Sequence, residues 1–260
     1  MVTPWINTDR SKLVDLFESF KVGRRIIFPA LAQNRGNIWV DSIESPKVAR
    51  LQMSLINALA GDSTNPEATE IIEMIEPHEL VFFSNSGWRD LLLDIWGNLV
   101  GVQKRTMLSP RILDIDHLKE YLDNLPEEFT LERLDLETTR ELNNNMSMHI
   151  SMFFGSPEEF IDKGFGFCIK HGGEVISIAS TFTPFIDEFE IEVRTSNSGE
   201  YRRKGLATVV SSALIIDALE RGFVPHWDAA NEISVKLALK LGFTDPYPWE
   251  ALYRKKPEST

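Results

Sequence analysis

The chain has 260 residues, of which 43% are hydrophobic and 25% are charged. A chain of this length builds a full hydrophobic core in one or two domain-sized units, without metals or disulfides. Its formal net charge of −12 argues against nucleic acid or an anionic membrane surface as a general partner and favours a cationic small molecule.

Cysteine usage and the chain start both point to the cytoplasm. The single cysteine, Cys168, cannot form an internal disulfide, and its neighbours Phe167 and Ile169 predict a buried, unreactive thiol on a strand. Residues 1–10 lack the layout of a signal peptide, and no apolar run approaches the roughly 20 residues that span a bilayer. We therefore expect a cytoplasmic protein with no membrane partner. The histidines lack ligand-like spacing, so we expect no metal.

The first half of the chain predicts a mixed α/β unit. Leu13, Leu16, Phe17 and Phe20 recur at helical spacing and indicate a first amphipathic helix. The elements predicted after it are strands at 37–41 and within 48–59, a helix at 68–75, a strand at 80–83, a helix at 88–96 and a strand at 99–107. A polar helix at 114–124 ends before Pro126. We place the boundary between two domains there, giving 1–125 and 126–260.

The second half alternates strands and helices more regularly. Strands are predicted at 129–134, 165–170, 175–182 and 189–194, with a short helix at 137–143. His171-Gly172-Gly173 is typical of a hairpin turn. The helix predicted at 205–220 is apolar nearly all round, which indicates that it is mostly buried. A strand at 223–227, a helix at 231–241 and strand material at 247–255 complete the chain.

The segment from Tyr201 to Thr208 joins a strand to this long helix and predicts an anion site. The first turn of a helix offers unpaired N–H groups and the positive end of a dipole, which suit phosphate oxygens. Gly205 lacks a Cβ and Ala207 is small, so a pyrophosphate can approach the backbone closely. Arg202, Arg203 and Lys204 add charged contacts. Neither the P-loop nor the dinucleotide glycine pattern is present. The alternative interpretation is a helix start with a solvated basic face.

Two motifs in this region resemble a known superfamily. Arg202-x-x-Gly205-x-Ala207 resembles the acyl-coenzyme A pyrophosphate motif of the GCN5-related N-acetyltransferases, the GNAT superfamily. Asn231-x-x-Ser234, followed by Lys240-Leu-Gly-Phe243, resembles the next motif of that superfamily. The motifs occur in the expected order, and the order of elements from Phe129 onward also fits. The resemblance implies a mixed α/β GNAT fold with a mostly antiparallel, splayed sheet, acetyl-coenzyme A as cosubstrate and N-acetyltransferase activity.

A narrower resemblance covers the first half. Leu55-x-x-Ala58-x-Ala60-Gly-Asp62, with Trp39-Val-Asp41 upstream, is similar to a bacterial subfamily that includes the zwittermicin A resistance acetyltransferase. In that subfamily the first half resembles a degenerate copy of the acetyltransferase fold. Residues 1–110 do not repeat the Arg-x-x-Gly-x-Ala pattern, so we expect no second cofactor site there.

The resemblance also implies where the cosubstrate binds. In such enzymes pantetheine lies between two splayed strands and pairs with backbone amides, which we expect at Val193 and Thr195. The acetyl carbonyl should accept a backbone N–H near Val193, which stabilises the oxyanion. Asn231 is either a cofactor contact, the N-cap of its helix, or both. The other implied cofactor residues are Arg202, Arg203, Lys204, Gly205, Leu206, Ala207 and Thr208.

Catalysis requires a base, because the amine must react in its neutral form. Glu190 and Glu192 share one face of a strand by alternation, beside the expected thioester, and Asp228 on the following strand is a third candidate. The alternative is that both glutamates are solvated surface charges.

The acid for the leaving thiolate is less clearly marked. The family often has a tyrosine where this chain has Ala238. Either Tyr201 or Tyr253 replaces it, or the thiolate, from a thiol of pKa about 8.5, leaves without help.

These residues lead us to expect transfer of acetyl to the amine of a small molecule, such as an antibiotic or a polyamine-like metabolite, by a monomer or homodimer. Two alternatives stay open. One is a protein or peptide N-acetyltransferase. The other is a coenzyme A-binding module that has lost catalysis, as Ala238 would suggest.

Overall fold

The computed structural model describes residues 1–257. The chain forms two compact units: the first consists of residues 1–105 and 249–257, and the second of residues 106–248. The domain boundary predicted at residues 125 and 126 lies inside the second unit. The terminal strand material belongs to the first unit from Trp249 onward.

The first half of the chain alternates short strands with four helices. In chain order they are β1 (Thr3–Pro4), α1 (Ser11–Phe17), α2 (Arg24–Ala32), β2 (Asn37–Val40), β3 (Val48–Met53), β4 (Ile56–Gly61), α3 (Ala68–Glu73), β5 (Leu80–Phe83), α4 (Ser86–Trp96) and β6 (Val100–Ser109).

The second half repeats this alternation with a longer central helix. Its elements are α5 (Ile115–Leu122), β7 (Phe129–Arg133), α6 (Leu136–Glu141), α7 (Asn144–His149), a π-helix (Ile150–Phe154), α8 (Pro157–Lys163), β8 (Gly166–His171), β9 (Glu174–Thr181), β10 (Glu188–Thr195), α9 (Leu206–Glu220), β11 (Val224–Ala229), α10 (Glu232–Lys240) and β12 (Thr244–Arg254).

The sheets of the two units have the same topology. In the first unit β1 to β4 pair antiparallel in sequence, β4 pairs parallel with β5, and β5 pairs antiparallel with β12. In the second, β7 to β10 pair antiparallel, β10 pairs parallel with β11, and β11 pairs antiparallel with the end of β6. The strand that completes each sheet therefore comes from the other half of the chain. The predicted mixed α/β fold with a mostly antiparallel sheet is confirmed.

The parallel strand pair is where the units differ. In the first unit β5 pairs with β4 along its whole length, from Leu80 to Phe83. In the second unit the pairing of β10 with β11 covers only Glu188 to Glu190, opposite residues 224–226. Beyond Glu190, β10 is in register with β9, while β11 from Trp227 onward is in register with β6. The splayed sheet that the sequence predicts thus occurs in the second unit.

Helix α9 covers one face of the second sheet. It has 15 residues, is apolar on all sides and is buried along most of its length. Ile191 and Val193 of β10 pack in its hydrophobic clusters. Because side chains alternate along a strand, Glu190, Glu192 and Arg194 lie on the opposite face, the face that α7 and α8 cover at Cys168 and Ile178.

The prediction for Cys168 is correct. Its side chain is buried on β8, and burial raises the pKa of the thiol to about 11. A thiol that stays protonated at neutral pH is a poor nucleophile, so Cys168 is a packing residue.

Four helical segments, α2, α7, α8 and the π-helix, have no counterpart among the predicted elements. Helix α2 contains Pro29, which ordinarily interrupts a helical pattern because it lacks an N–H donor. Helix α8 begins with Ser156 as N-cap and Pro157 in its first turn, a start signal that the sequence did contain. The π-helix at Ile150–Phe154 has no comparable sequence signal.

Candidate active site

The divergence of β10 from β11 exposes the backbone of β10 along one edge. The amide of Phe182 donates to Glu190 O at 2.9 Å, and the amide of Ser196 donates to Ile176 O at 2.7 Å. The even-numbered residues of β10 are therefore the ones that exchange backbone hydrogen bonds with β9. In an antiparallel ladder the intervening amides point the other way. Val193 and Thr195, the two residues predicted to pair with pantetheine, therefore direct their N–H groups away from β9, toward the diverging edge.

The loop between β10 and α9 adopts an unusual backbone conformation at two residues. Arg203 and Gly205 have φ angles of 59° and 77°, in the left-handed region. Gly205 is the N-cap of α9 and supplies no side-chain cap, so this helix start lacks the side-chain acceptor that usually satisfies its first N–H groups. A Cβ at Gly205 would meet no atom within 4 Å. Packing within the chain therefore does not require glycine at this position, whereas the φ angle of 77° favours it.

The predicted helix-start residues lie together at this loop. Leu206 and Thr208 are buried in the first turn, and Ala207 between them is partly exposed. Arg202 and Arg203 are exposed, and Lys204 forms an ion pair with Glu128 at 3.3 Å. All three basic side chains of this loop are thus exposed beside uncapped N–H groups, and of the three only Lys204 forms an ion pair within residues 1–257.

A further cation lies at the same helix end. Lys240, in the last turn of α10, places its Nζ 3.4 Å from Thr208 Oγ1. A cation near a helix N-terminus is unfavourable unless an anion is bound there, because the helix dipole is positive at that end. In the sequence Lys240 belongs to the second family motif, and nothing local places it near Thr208. Only the packing of α10 against α9 brings the two residues together.

Asn231 is a helix cap, as one of its two interpretations predicted. Its Oδ1 accepts a hydrogen bond from Ser234 N at 3.0 Å, and Ser234 Oγ accepts one from Trp227 Nε1 at 2.9 Å. The side chain of Asn231 is nevertheless exposed. A cofactor contact at Asn231 remains a prediction.

The candidate acids occupy different environments. Ala238, which replaces the family tyrosine, is fully buried among Leu241 and Phe243. The hydroxyl of Tyr201 lies 3.2 Å from His171 Nδ1, and burial raises its pKa. Tyr253 lies in the first unit, where its ring packs against Gly101.

The candidate bases form a row on the face opposite α9. Glu190 is 7% exposed and stands in register with His226, so the interpretation of Glu190 as a solvated charge is wrong. Glu192 Oε1 lies 2.7 Å from Arg194 Nε, and Glu188 Oε2 lies 3.0 Å from His226 Nε2. Asp228, two residues beyond His226, is partly buried on the same face.

A buried histidine that sequence reasoning passed over adjoins this row. The sequence shows His149 only as a histidine without ligand-like spacing, yet its Nε2 lies 2.9 Å from Ser180 Oγ, and Ser180 is directly opposite Glu192 in the ladder. Burial lowers the pKa of His149 to about 3, and the charge of Arg194 adds to the effect. The imidazole is therefore neutral at physiological pH.

Residues 1–257 lack two kinds of feature. No helix in that range is both long and apolar enough to cross a bilayer. The same residues contain no group of three or more His, Cys, Asp or Glu side chains placed to hold a metal ion.

Comparison with known proteins decides the family. The family model described as GNAT acetyltransferase matches residues 15–252. The chain belongs to the GNAT acetyltransferase family. It is also 28% identical over 218 residues to the uncharacterized N-acetyltransferase YdfB of Bacillus subtilis, covering 80% of this chain and 81% of that protein.

Solved structures agree with this GNAT assignment. A GCN5-related N-acetyltransferase-like protein from Streptococcus suis superposes with a TM-score of 0.80 at 30% identity, covering 95% of this chain and 98% of that one. A tandem GNAT protein from the clavulanic acid biosynthesis pathway matches with a TM-score of 0.60 over both full lengths, at 10% identity, and so shows the fold alone. The predicted superfamily, fold and enzyme class are thereby confirmed.

Proposed function

We propose that this GNAT chain uses acetyl-coenzyme A to acetylate the amine of a cationic small molecule, and that the reaction takes place in the second unit. The observation that carries the proposal is the divergence of β10 from β11 after Glu190, next to the uncapped start of α9. The corresponding strands of the first unit stay paired, and α3, which occupies the place of α9, has only six residues.

The cosubstrate would be held by backbone more than by side chains. The amides of Val193 and Thr195 face the diverging edge and suit the amide groups of pantetheine. The N–H groups of the first turn of α9 suit a pyrophosphate, with Arg202 and Arg203 beside them. Lys240 supplies a further charge near Thr208. Bound there, acetyl-coenzyme A would supply the activated acetyl group.

Glu190 is the base that the geometry favours. Its carboxylate is buried beside the point where β10 and β11 diverge, and Glu192, one alternation further along, forms an ion pair with Arg194 at 2.7 Å. Glu190 would take the proton of the ammonium group, so that the neutral nitrogen can attack the acetyl carbonyl. The amide of Val193 would stabilise the oxyanion. With Ala238 buried, the thiolate would leave and take its proton from solvent.

The acceptor should be cationic. The face carrying Glu190 also holds Glu188, Glu192 and Asp228, with Arg194 beside Glu192 and His226 beside Glu188. An excess of carboxylates attracts ammonium groups. The resemblance to the zwittermicin A resistance subfamily further supports an amine antibiotic or a polyamine-like metabolite as the acceptor class.

An inactive coenzyme A-binding module is the second candidate, and the burial of Ala238 favours it. Thiol release from acetyl-coenzyme A, measured with a panel of amines such as spermidine, an amino sugar and a lysine-terminated peptide, separates the possibilities. Turnover of a small amine supports the proposal. Turnover of the peptide alone supports a peptide acetyltransferase. Binding of coenzyme A without turnover supports the inactive module.

A further inference from the structure

His149 is a buried polar side chain with only one of its two ring nitrogens hydrogen-bonded. The side chain ends α7, is 1% exposed and contacts Phe160 edge-on at a centroid distance of 6.4 Å. Its Nε2 is satisfied by Ser180, but its Nδ1 has no hydrogen-bond partner among residues 1–257. A buried nitrogen without a partner costs free energy that an apolar side chain of similar size would not cost. Packing stability alone therefore does not explain a histidine at this position.

The contact of His149 leads to the candidate catalytic face. Ser180 on β9 is in register with Glu192 on β10, so the two side chains project from the same face of the ladder. Glu192 in turn pairs with Arg194. His149, Ser180, Glu192 and Arg194 thus lie along one face of the ladder, and Glu192 is the next residue on that face after Glu190.

We propose that His149 is a positioning residue for acetyl transfer: through Ser180 it fixes the face of β10 on which Glu190 and Glu192 stand. The inference rests on the proposed function, because it assigns the role to that reaction. A neutral imidazole suits the task. It can hold the serine hydroxyl by a hydrogen bond without competing, as a charged group would, with Arg194 for the carboxylate of Glu192.

The π-helix that follows His149 restricts where its side chain can lie. The π-helix Ile150–Phe154 starts at the next residue, and Gly155 N donates to Ile150 O at 3.0 Å to close its wide turn. Single π-turns are rare and occur frequently at functional sites. The wide turn keeps His149, Ile150 and Phe154 all buried against the sheet.

Four variants test the role: His149→Leu, His149→Gln, Ser180→Ala, and the double variant His149→Leu with Ser180→Ala. With the amine from the panel above that is turned over fastest, we expect the two single apolar variants to lower kcat by about tenfold or more, as misplaced catalytic groups do. The double variant should lower kcat no further than either single variant does, because His149 and Ser180 act through the same hydrogen bond. His149→Gln should recover part of kcat, since it retains a donor that can reach Ser180. Calorimetric affinity for coenzyme A should not change.

Cys168→Ala is the matched control, because Cys168 packs in the same buried cluster without a polar link to β10. It should lower the melting temperature and leave kcat unchanged. The double variant should keep a melting temperature close to that of the parent, since replacing both partners of a buried hydrogen bond by apolar groups is nearly neutral. A kcat within about twofold of the parent in the double variant would overturn the role. So would a Cys168→Ala variant that loses as much kcat as the His149 variants for the same drop in melting temperature. No turnover of any amine by the parent would count against the proposed function itself, and this role with it.

Discussion

Gly205 and Gly222 stand at opposite ends of α9 with nearly the same backbone geometry. Their φ angles are 77° and 80°, and a Cβ at either position would meet no atom within 4 Å. Any substitution therefore meets the same left-handed backbone strain at both ends of the helix. Only the Gly205 end offers uncapped N–H groups beside basic side chains. Substitutions at the two glycines therefore cause the same backbone strain, and only the substitution at Gly205 also affects a ligand bound at the helix start.

Gly205→Val and Gly222→Val should each cost about 1–2 kcal/mol of stability, because valine is strained at positive φ. Only Gly205→Val should abolish binding of coenzyme A, since its side chain would stand where the pyrophosphate approaches. Urea unfolding and calorimetric titration measure the two effects. Equal affinities in the two variants would remove this loop as the phosphate site.

Lys240→Met should weaken binding of coenzyme A by about tenfold, the size of one charge-assisted hydrogen bond. Lys236→Met is the control, because Lys236 is exposed one turn earlier on the same helix. Raising the salt concentration should reduce the difference between the two variants, as it does for partly exposed charges. If Lys240→Met binds coenzyme A as tightly as Lys236→Met, the lysine serves only the C-terminal end of α10.

Glu190→Gln should lower kcat by a factor of about 10² to 10⁴ and leave the affinity for coenzyme A unchanged, because the carboxylate acts on the amine proton alone. Glu192→Gln should have a smaller effect, since Arg194 already neutralises that carboxylate. In the parent the rate should rise with pH and then level off as base and amine lose their protons. Rates in Glu190→Gln and Glu192→Gln that both stay close to the parent would transfer the role to Asp228 or to a bound water.

The buried imidazole of His149 predicts a pH dependence of stability. Its pKa is about 3 in the folded protein against 6.5 as the ordinary value, so below pH 6.5 the unfolded state binds more protons. The corresponding stability is present above pH 6.5 and is lost as the pH falls toward 3. At pH 5 the loss should be about 2 kcal/mol.

Urea unfolding of the parent and of His149→Leu at pH 7 and pH 5 measures this loss. The parent should lose more stability than the variant between the two values. Arg194 is the charged group that acts on the imidazole, and its own charge does not change over this range. The same loss in both proteins would show that His149 does not titrate as its burial implies.

The sequence was sufficient for most of the strands and for the position of the long helix α9. Alternating residues such as Phe189, Ile191 and Val193 predict a half-buried strand, and an apolar run beginning after Gly205 predicts a buried helix. Both predictions depend only on the spacing of apolar residues within a short stretch of the chain. The motif around Gly205 is local in the same sense, so its position at the start of α9 followed directly.

What could not be predicted depends on contacts between distant residues. The strand pattern of β12 does not indicate that its last residues pair with β5 rather than with a neighbour in sequence. Lys240 reaches Thr208 only through the packing of two helices. His149 lacks any local signal, because its partner Ser180 is 31 residues away.

Calorimetric titration of the full chain with acetyl-coenzyme A tests the central claim most directly, because it reports both affinity and stoichiometry. The divergence of β10 from β11 in the second unit, against the paired β4 and β5 of the first, predicts one equivalent per chain. The bound ligand should also raise the unfolding free energy by roughly 2.7 kcal/mol at 100 times its dissociation constant, while NAD and ATP should not. Binding of two equivalents, or no binding of acetyl-coenzyme A together with binding of another nucleotide, would contradict the account.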